Sequence, residues 1–276
     1  MAAFVGHVRG KCNILRIRQA IYQFIDDVIE LIWPPNHCLL CCGLIPATDL
    51  LLGVGLCQHC RHDLAAYNCC PNCATFIHSN ATPEQLALHH RFCHSSQVQG
   101  IAAFNAWAPY AGQMRQNLLQ LKYHGQRRLA KPLGQEIARA WQHTGWPADV
   151  IIPVPLHAEK MKQRGYNQCD LLAKACGEVL NLPVLSNVLQ RVKATEVQNK
   201  LNAEERKSNV ESAFACEDSI EQLAGKNIIL LDDIITTGST MRACAVALQS
   251  ARPAAIYGLA VAGKLLQTES FEKFAD

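Results

Sequence analysis

No run of about 20 uncharged apolar residues occurs anywhere in the chain, so no helix is expected to cross a membrane. The first residues, MAAFVGHVRGKCNILRIRQ, hold no uninterrupted apolar core. A secretory signal is therefore not expected, and the sequence reads as cytoplasmic. Aromatic residues are scarce, at 7%. Any stacking on nucleic-acid bases would fall to a few side chains, such as Trp107, Tyr110, Tyr123 and Tyr166. Apart from short cysteine pairs there is no internal repeat. The 276 residues, 49% hydrophobic and 18% charged, suit one large soluble domain or two smaller ones.

Cysteine is abundant, with fourteen residues. Seven of them fall in CxxC or HxxC spacing between Cys38 and Cys93. With no export signal expected, reduced and metal-bound cysteine fits better than disulfides. Cys38 and Cys41 form one CxxC pair, Cys57 and Cys60 a second, Cys70 and Cys73 a third, and His90 with Cys93 an HxxC. Two intervening residues let a tight turn aim both side chains at one ion, and tetrahedral zinc takes four such ligands. Pairing neighbours gives one site of Cys38, Cys41, Cys57 and Cys60. A second site takes Cys70, Cys73, His90 and Cys93. A cross-braced pairing remains open, and His89, His94 and Cys69 compete for the second site. Four ligands each and no open position make these sites structural. Cys12, Cys42, Cys169, Cys176, Cys216 and Cys244 lack partners at ligand spacing and read as small apolar residues.

The net charge of +3 is unevenly spread. Residues 111–207 carry fifteen basic against eight acidic side chains, and residues 208–276 five against nine. The middle segment is the expected anion-binding region. Along the chain, the spacing of apolar residues predicts helices over 14–33, 113–122, 129–142, 168–180 and 241–250. Buried strands are expected at 99–110, 149–155, 228–231 and 254–262, with a short one at 212–215. Residues 157–167 (HAEKMKQRGYN) read as a basic loop, and 189–210 as a mobile lid or a solvated helical hairpin. The domain organisation expected is an N-terminal helix over 1–36, a zinc-binding region over 37–95 and an α/β domain over 96–276.

One stretch organises the rest. Residues 228–240 read IILLDDIITTGST. Four apolar residues form a strand, Asp232 and Asp233 end it, and Thr236, Thr237, Gly238, Ser239 and Thr240 lead into a helix. Small hydroxyl residues and a glycine let backbone N–H groups converge on a phosphate at the positive end of the helix dipole. Two carboxylates are acceptor-only groups suited to a sugar diol. Phosphate on one side and diol on the other describe a ribose 5-phosphate. The string resembles the 5-phosphoribosyl-1-pyrophosphate (PRPP) motif of type I phosphoribosyltransferases. Lys122, Arg164 and Arg206 are candidates for pyrophosphate, chosen on charge and placement.

The wider pattern resembles the ComF family. It comprises Pro34-Pro35 before the cysteine pairs, Lys122-Tyr123-His124-Gly125, the IPVP of 152–155, the RGYNQ of 164–168 and the motif at 228–240. His90 departs from it, standing where a fourth CxxC would be. The resemblance implies a zinc-finger region joined to a type I phosphoribosyltransferase-like domain, a doubly wound and mostly parallel α/β sheet. It implies a link to DNA uptake in natural transformation, alongside other DNA-uptake proteins. It further implies that Asp232 and Asp233 bind ribose hydroxyls, that 236–240 hold the 5-phosphate, and that magnesium accompanies PRPP. Three activities fit: pentosyl transfer from PRPP, single-stranded DNA binding on the same fold, and PRPP sensing without turnover.

Overall fold

The computed structural model describes residues 37–46, 55–95, 100–192, 214–216 and 220–266. The helix expected over 14–33, most of the basic segment 189–210 and Arg206 lie outside them. Among the described residues the chain runs α1 (Gln58–Leu64), β1 (Tyr67–Cys69), β2 (Phe76–His78), α2 (Pro83–Ser95), β3 (Ala103–Pro109) and α3 (Gly112–Tyr123). After a 3-10 turn at Arg127–Leu129 come α4 (Ala130–Gln142), β4 (Val150–Pro153), α5 (Ala158–Arg164), α6 (Gln168–Leu180) and β5 (Leu189–Arg191). Then follow β6 (Phe214–Cys216), β7 (Asn227–Ile235), α7 (Ser239–Leu248) and β8 (Ala255–Gly263).

The central sheet has the order β3-β8-β7-β4, and every pair in it is parallel. Its middle strands read as near-continuous apolar runs, as strands covered on both faces do. Ile228, Ile229, Leu230 and Leu231 are all fully buried, each contributing roughly 1.5–3 kcal/mol of burial. The covering helices follow from strand alternation. Tyr257 turns to α4, its ring 5.6 Å from Trp141. Gly258 faces the other way, where an added Cβ would lie 2.8 Å from Met241 Sδ of α7. The sheet is therefore wound on both faces. α4 and α6 pack backbone to backbone: a Cβ on Gly134 would come within 2.5 Å of Ala175 Cβ and 2.8 Å of Leu172 O.

Two expectations are corrected. The acidic pair does not end its strand. β7 runs on to Ile235, with Asp232 in register with Ala260 of β8. The neighbouring strand carries nine residues of its own, so pairing continues through the polar positions. Residues 157–167 are not a loop, since seven of them form α5. His157 caps it by accepting from Glu159 N, and Gly165 closes it at φ 78°. That left-handed position is open to glycine without strain.

The cysteine-bearing segments share the core of the α/β domain. Leu39, Ile45, Leu56, Ala74 and Phe76 belong to one apolar cluster with the sheet. Asn117 Nδ2 donates to Leu39 O at 2.7 Å, and Gly55 N donates to buried Glu136 at 2.8 Å. β2 extends the contact, with Phe76 N donating to Lys264 O at 2.7 Å.

Candidate functional site

Two four-residue clusters stand in the N-terminal region. Sulfurs of Cys38, Cys41, Cys57 and Cys60 lie within 4.8 Å of one another. Backbone N–H groups of Leu40, Gly43 and Cys60 donate to Cys38, Cys41 and Cys57 at 3.4, 3.4 and 3.5 Å. Knuckle turns offer such donors to thiolates. Cys41 and Cys57 sulfurs sit 3.7 Å apart. A disulfide needs about 2.05 Å, whereas sulfurs on tetrahedral zinc at about 2.3 Å stand about 3.8 Å from each other. The donor set and its spacing therefore fit a metal ion, consistent with zinc.

The second cluster gathers Cys70, Cys73, His89 and Cys93. Cys70 and Cys93 sulfurs are 3.7 Å apart, and His89 Nε2 lies 3.3 Å from Cys73 Sγ. His90, the ligand expected from the HxxC spacing, is exposed, and His89 is buried in the cluster. The reason is helical. The pair sits on α2, where i and i+4 share a face, so His89 aligns with Cys93 while His90 is turned about 100° away. The thiols crowd one another: a hydrogen bond from Cys70 draws Cys73 down to about 4 while Cys70 is pushed far up. A bound cation relieves that competition by holding all of them as thiolates.

The remaining candidates meet at the carboxyl end of the parallel sheet. β4 and β7 are neighbours there, and Val154 N donates to Leu231 O at 2.8 Å. Asn167 ties this end to α6. Its side chain donates to Val154 O and accepts from Cys169 N, both at 3.0 Å. Tyr166 OH donates to Leu121 O, fastening the end of α3. The Arg127 guanidinium lies 4.4 Å from the Tyr166 ring centre. These links bring Lys122, Arg164, Gln168 and Cys169 beside the acidic pair.

Asp233, 4% exposed, accepts from Lys122 Nζ at 3.0 Å and from Gln168 Nε2 at 2.7 Å. Asp232 accepts from Asp233 N at 2.8 Å and from the Cys169 thiol at 3.3 Å. Burial and the adjacent Asp233 carboxylate push Asp232 up to about 7. Burial works to lower Lys122, but Asp233 outweighs it and raises the ammonium. Thr236, Thr237 and Ser239 are exposed beyond β7, and Gly238, at φ 69°, turns the chain into α7. Thr237 Oγ1 donates to Ser239 Oγ at 3.0 Å. Lys122 and Arg164 also line a cavity of about 300 Å³ with Tyr123, Gly125, Lys160 and Tyr166.

The sequence named Gln168 only within the RGYNQ stretch and Cys169 only as a small apolar residue, neither as part of the site. Cys169 packs as a small buried residue, but its thiol also touches Asp232. Cys169, Asp232 and Asp233 converge within 4.8 Å. The set does not build a resident site for a hard cation. Lys122 already supplies the positive charge at Asp233, and a thiol is a soft donor foreign to magnesium.

Comparison with known proteins agrees with this architecture. Residues 174–270 match the phosphoribosyl transferase domain family. The chain is 42% identical to Competence protein F of Haemophilus influenzae over 93 residues, 34% of this chain and 41% of that protein. It is 30% identical to DNA utilization protein YhgH of Escherichia coli K12 over 201 residues, 68% of this chain and 87% of that one. Among solved structures, a Bacillus subtilis glutamine PRPP amidotransferase aligns at 20% identity and a TM-score of 0.33, covering 47% of this chain and 25% of that one. The fold and its sheet-end site define a phosphoribosyltransferase-like protein. The chain belongs to the ComF family of competence-related proteins. No described helix is long and apolar enough to cross a membrane.

Proposed function

We propose that the sheet-end site binds PRPP in the service of DNA uptake. The observation that carries this reading is the meeting of two unlike subsites on one strand-loop-helix unit. The carboxylates of Asp232 and Asp233 are the acceptors for ribose hydroxyls. Thr236, Thr237, Gly238, Ser239 and Thr240, at the start of the ten-residue α7, hold the 5-phosphate through hydroxyls and N–H groups. Lys122 and Arg164, at the rim of the neighbouring cavity, attract the pyrophosphate. Magnesium bound with PRPP would offset the charge of its phosphates, as this ion does when phosphates supply its ligands. The protein's part is positioning and charge stabilisation as pyrophosphate leaves. Similarity to a competence protein and to DNA utilization proteins supports a role for this chemistry in DNA handling. The eight Cys and His ligands hold structural zinc.

The test is PRPP binding to the purified chain with magnesium, with and without single-stranded DNA, while pyrophosphate is monitored. Pyrophosphate released only with DNA supports pentosyl transfer acting on, or triggered by, nucleic acid. Binding without release in both conditions makes the domain a PRPP-dependent binding module. Absence of PRPP binding removes the reading.

A further inference from the structure

Both oxygens of Asp233 are occupied, and both partners lead to the same cavity. Oδ1 accepts from Lys122 Nζ at 3.0 Å. Oδ2 accepts from Gln168 Nε2 at 2.7 Å, and the other end of that amide, Oε1, accepts from Arg164 Nη1. Lys122 and Arg164 line the cavity of about 300 Å³ with Tyr123, Lys160 and Gln163. Asp232 is held differently. Its hydrogen bonds from Asp233 N and Cys169 both fall on Oδ1.

The two carboxylates are thus unequal. Among the described residues Asp232 has an oxygen to offer, while Asp233 is spent on a lysine and an amide. A buried carboxylate does not release an ammonium unless another partner takes it. An anion in the cavity is such a partner, because a lysine has three donors and a flexible stem. Drawing Arg164 toward the same anion frees Gln168 Oε1 as well, loosening the second hold on Asp233.

We propose that Lys122 is exchanged between Asp233 and a pyrophosphate-type anion in this cavity, so that filling the cavity releases Asp233 to accept from the sugar diol. Anion and diol then bind cooperatively, with Lys122 as the positioning residue that links them. The proposal rests on the reading of Asp232, Asp233 and 236–240 as a ribose-phosphate site. By linkage the coupling is reciprocal, and between sites in one protein it is typically 5–150-fold.

Calorimetry on the full chain at fixed magnesium tests it with two separate probes, inorganic pyrophosphate and ribose 5-phosphate. Saturating pyrophosphate is expected to tighten ribose 5-phosphate at least about fivefold, with the same factor in reverse. In Asp233→Asn, Lys122 is released from the start. Pyrophosphate alone is then expected to bind more tightly than to wild type, and ribose 5-phosphate to lose its response to it. A merely structural role for the pair would not raise pyrophosphate affinity. Lys122→Met removes the coupling by the other partner, and the wild-type and Asp233→Asn results stand without it if that variant fails to fold. Independent binding of the two probes to wild type, or weakened pyrophosphate binding in Asp233→Asn, overturns the exchange while the ribose-phosphate reading survives. No binding of ribose 5-phosphate under any condition overturns both.

Discussion

The cysteine-bearing region and the α/β domain are built by different means. Residues 55–95 hold two three-residue strands and one seven-residue helix besides α2. Elements so short bury little apolar surface of their own, and their Cys and His ligand atoms converge on two points. The α/β domain has four parallel strands whose inner residues are fully buried, and it is held by apolar contact. The first region is expected to depend on metal held by eight side chains as well as on the apolar residues it lends to the shared core. The other rests on a core, and its charged residues gather in pairs at the carboxyl end of the sheet.

This contrast can be broken from either side. The largest effect is expected from metal loss, because apparent binding energies of structural zinc are about 10–16 kcal/mol. Cys57→Ser should lose close to half the bound zinc and expose the N-terminal region to protease, as metal analysis and limited proteolysis would show. Wild-type metal content in that variant counts against the first cluster. Next comes a paired substitution on α2. His89→Ala should lose the second ion, and His90→Ala should keep it. The reverse result would restore the HxxC assignment.

In the α/β domain the expected losses are smaller and leave metal content unchanged. Gly134→Val drives a side chain into Ala175 and the Leu172 carbonyl, and overpacking of this kind typically costs about 1–3 kcal/mol. Denaturant unfolding measures it. The other effect in this domain is a pH dependence. Asp232 is raised from an ordinary 3.8 to about 7, so the folded chain resists an ionisation that the unfolded chain undergoes near 4. Its stabilising contribution is complete below about pH 4 and is lost as pH rises through 7. Asp232→Asn should therefore raise the melting temperature at pH 8 more than at pH 4. An equal shift at both values contradicts the assigned environment.

Much of the α/β domain was legible because its signals are local. α6 spans the expected 168–180, and β4, β7 and β8 lie where apolar runs place them. α5 was missed because its composition is basic and polar; its local marks of a helix are its caps, His157 and Gly165, and the charges of Glu159, Lys162 and Arg164 at its ends. The continuation of β7 past Asp232 depends on β8 offering partners, which no local pattern records. On α2 the spacing that favoured His90 was right for a turn and wrong for a helix face. The tie from Lys122 to Asp233 spans most of the domain in sequence. The lysine was chosen for its charge, but its partner became visible only when α3 and β7 met.

The measurement that bears most directly on the central claim is calorimetric titration of PRPP, with magnesium, into wild type and Asp232→Asn at pH 8. The wild-type chain should bind. The variant should lose affinity by roughly tenfold to a hundredfold, the worth of hydrogen bonds to one charged group at about 1.5–3 kcal/mol, while melting cooperatively at a temperature no lower than wild type. Equal affinity in the two proteins would contradict a ribose-phosphate site at the end of β7.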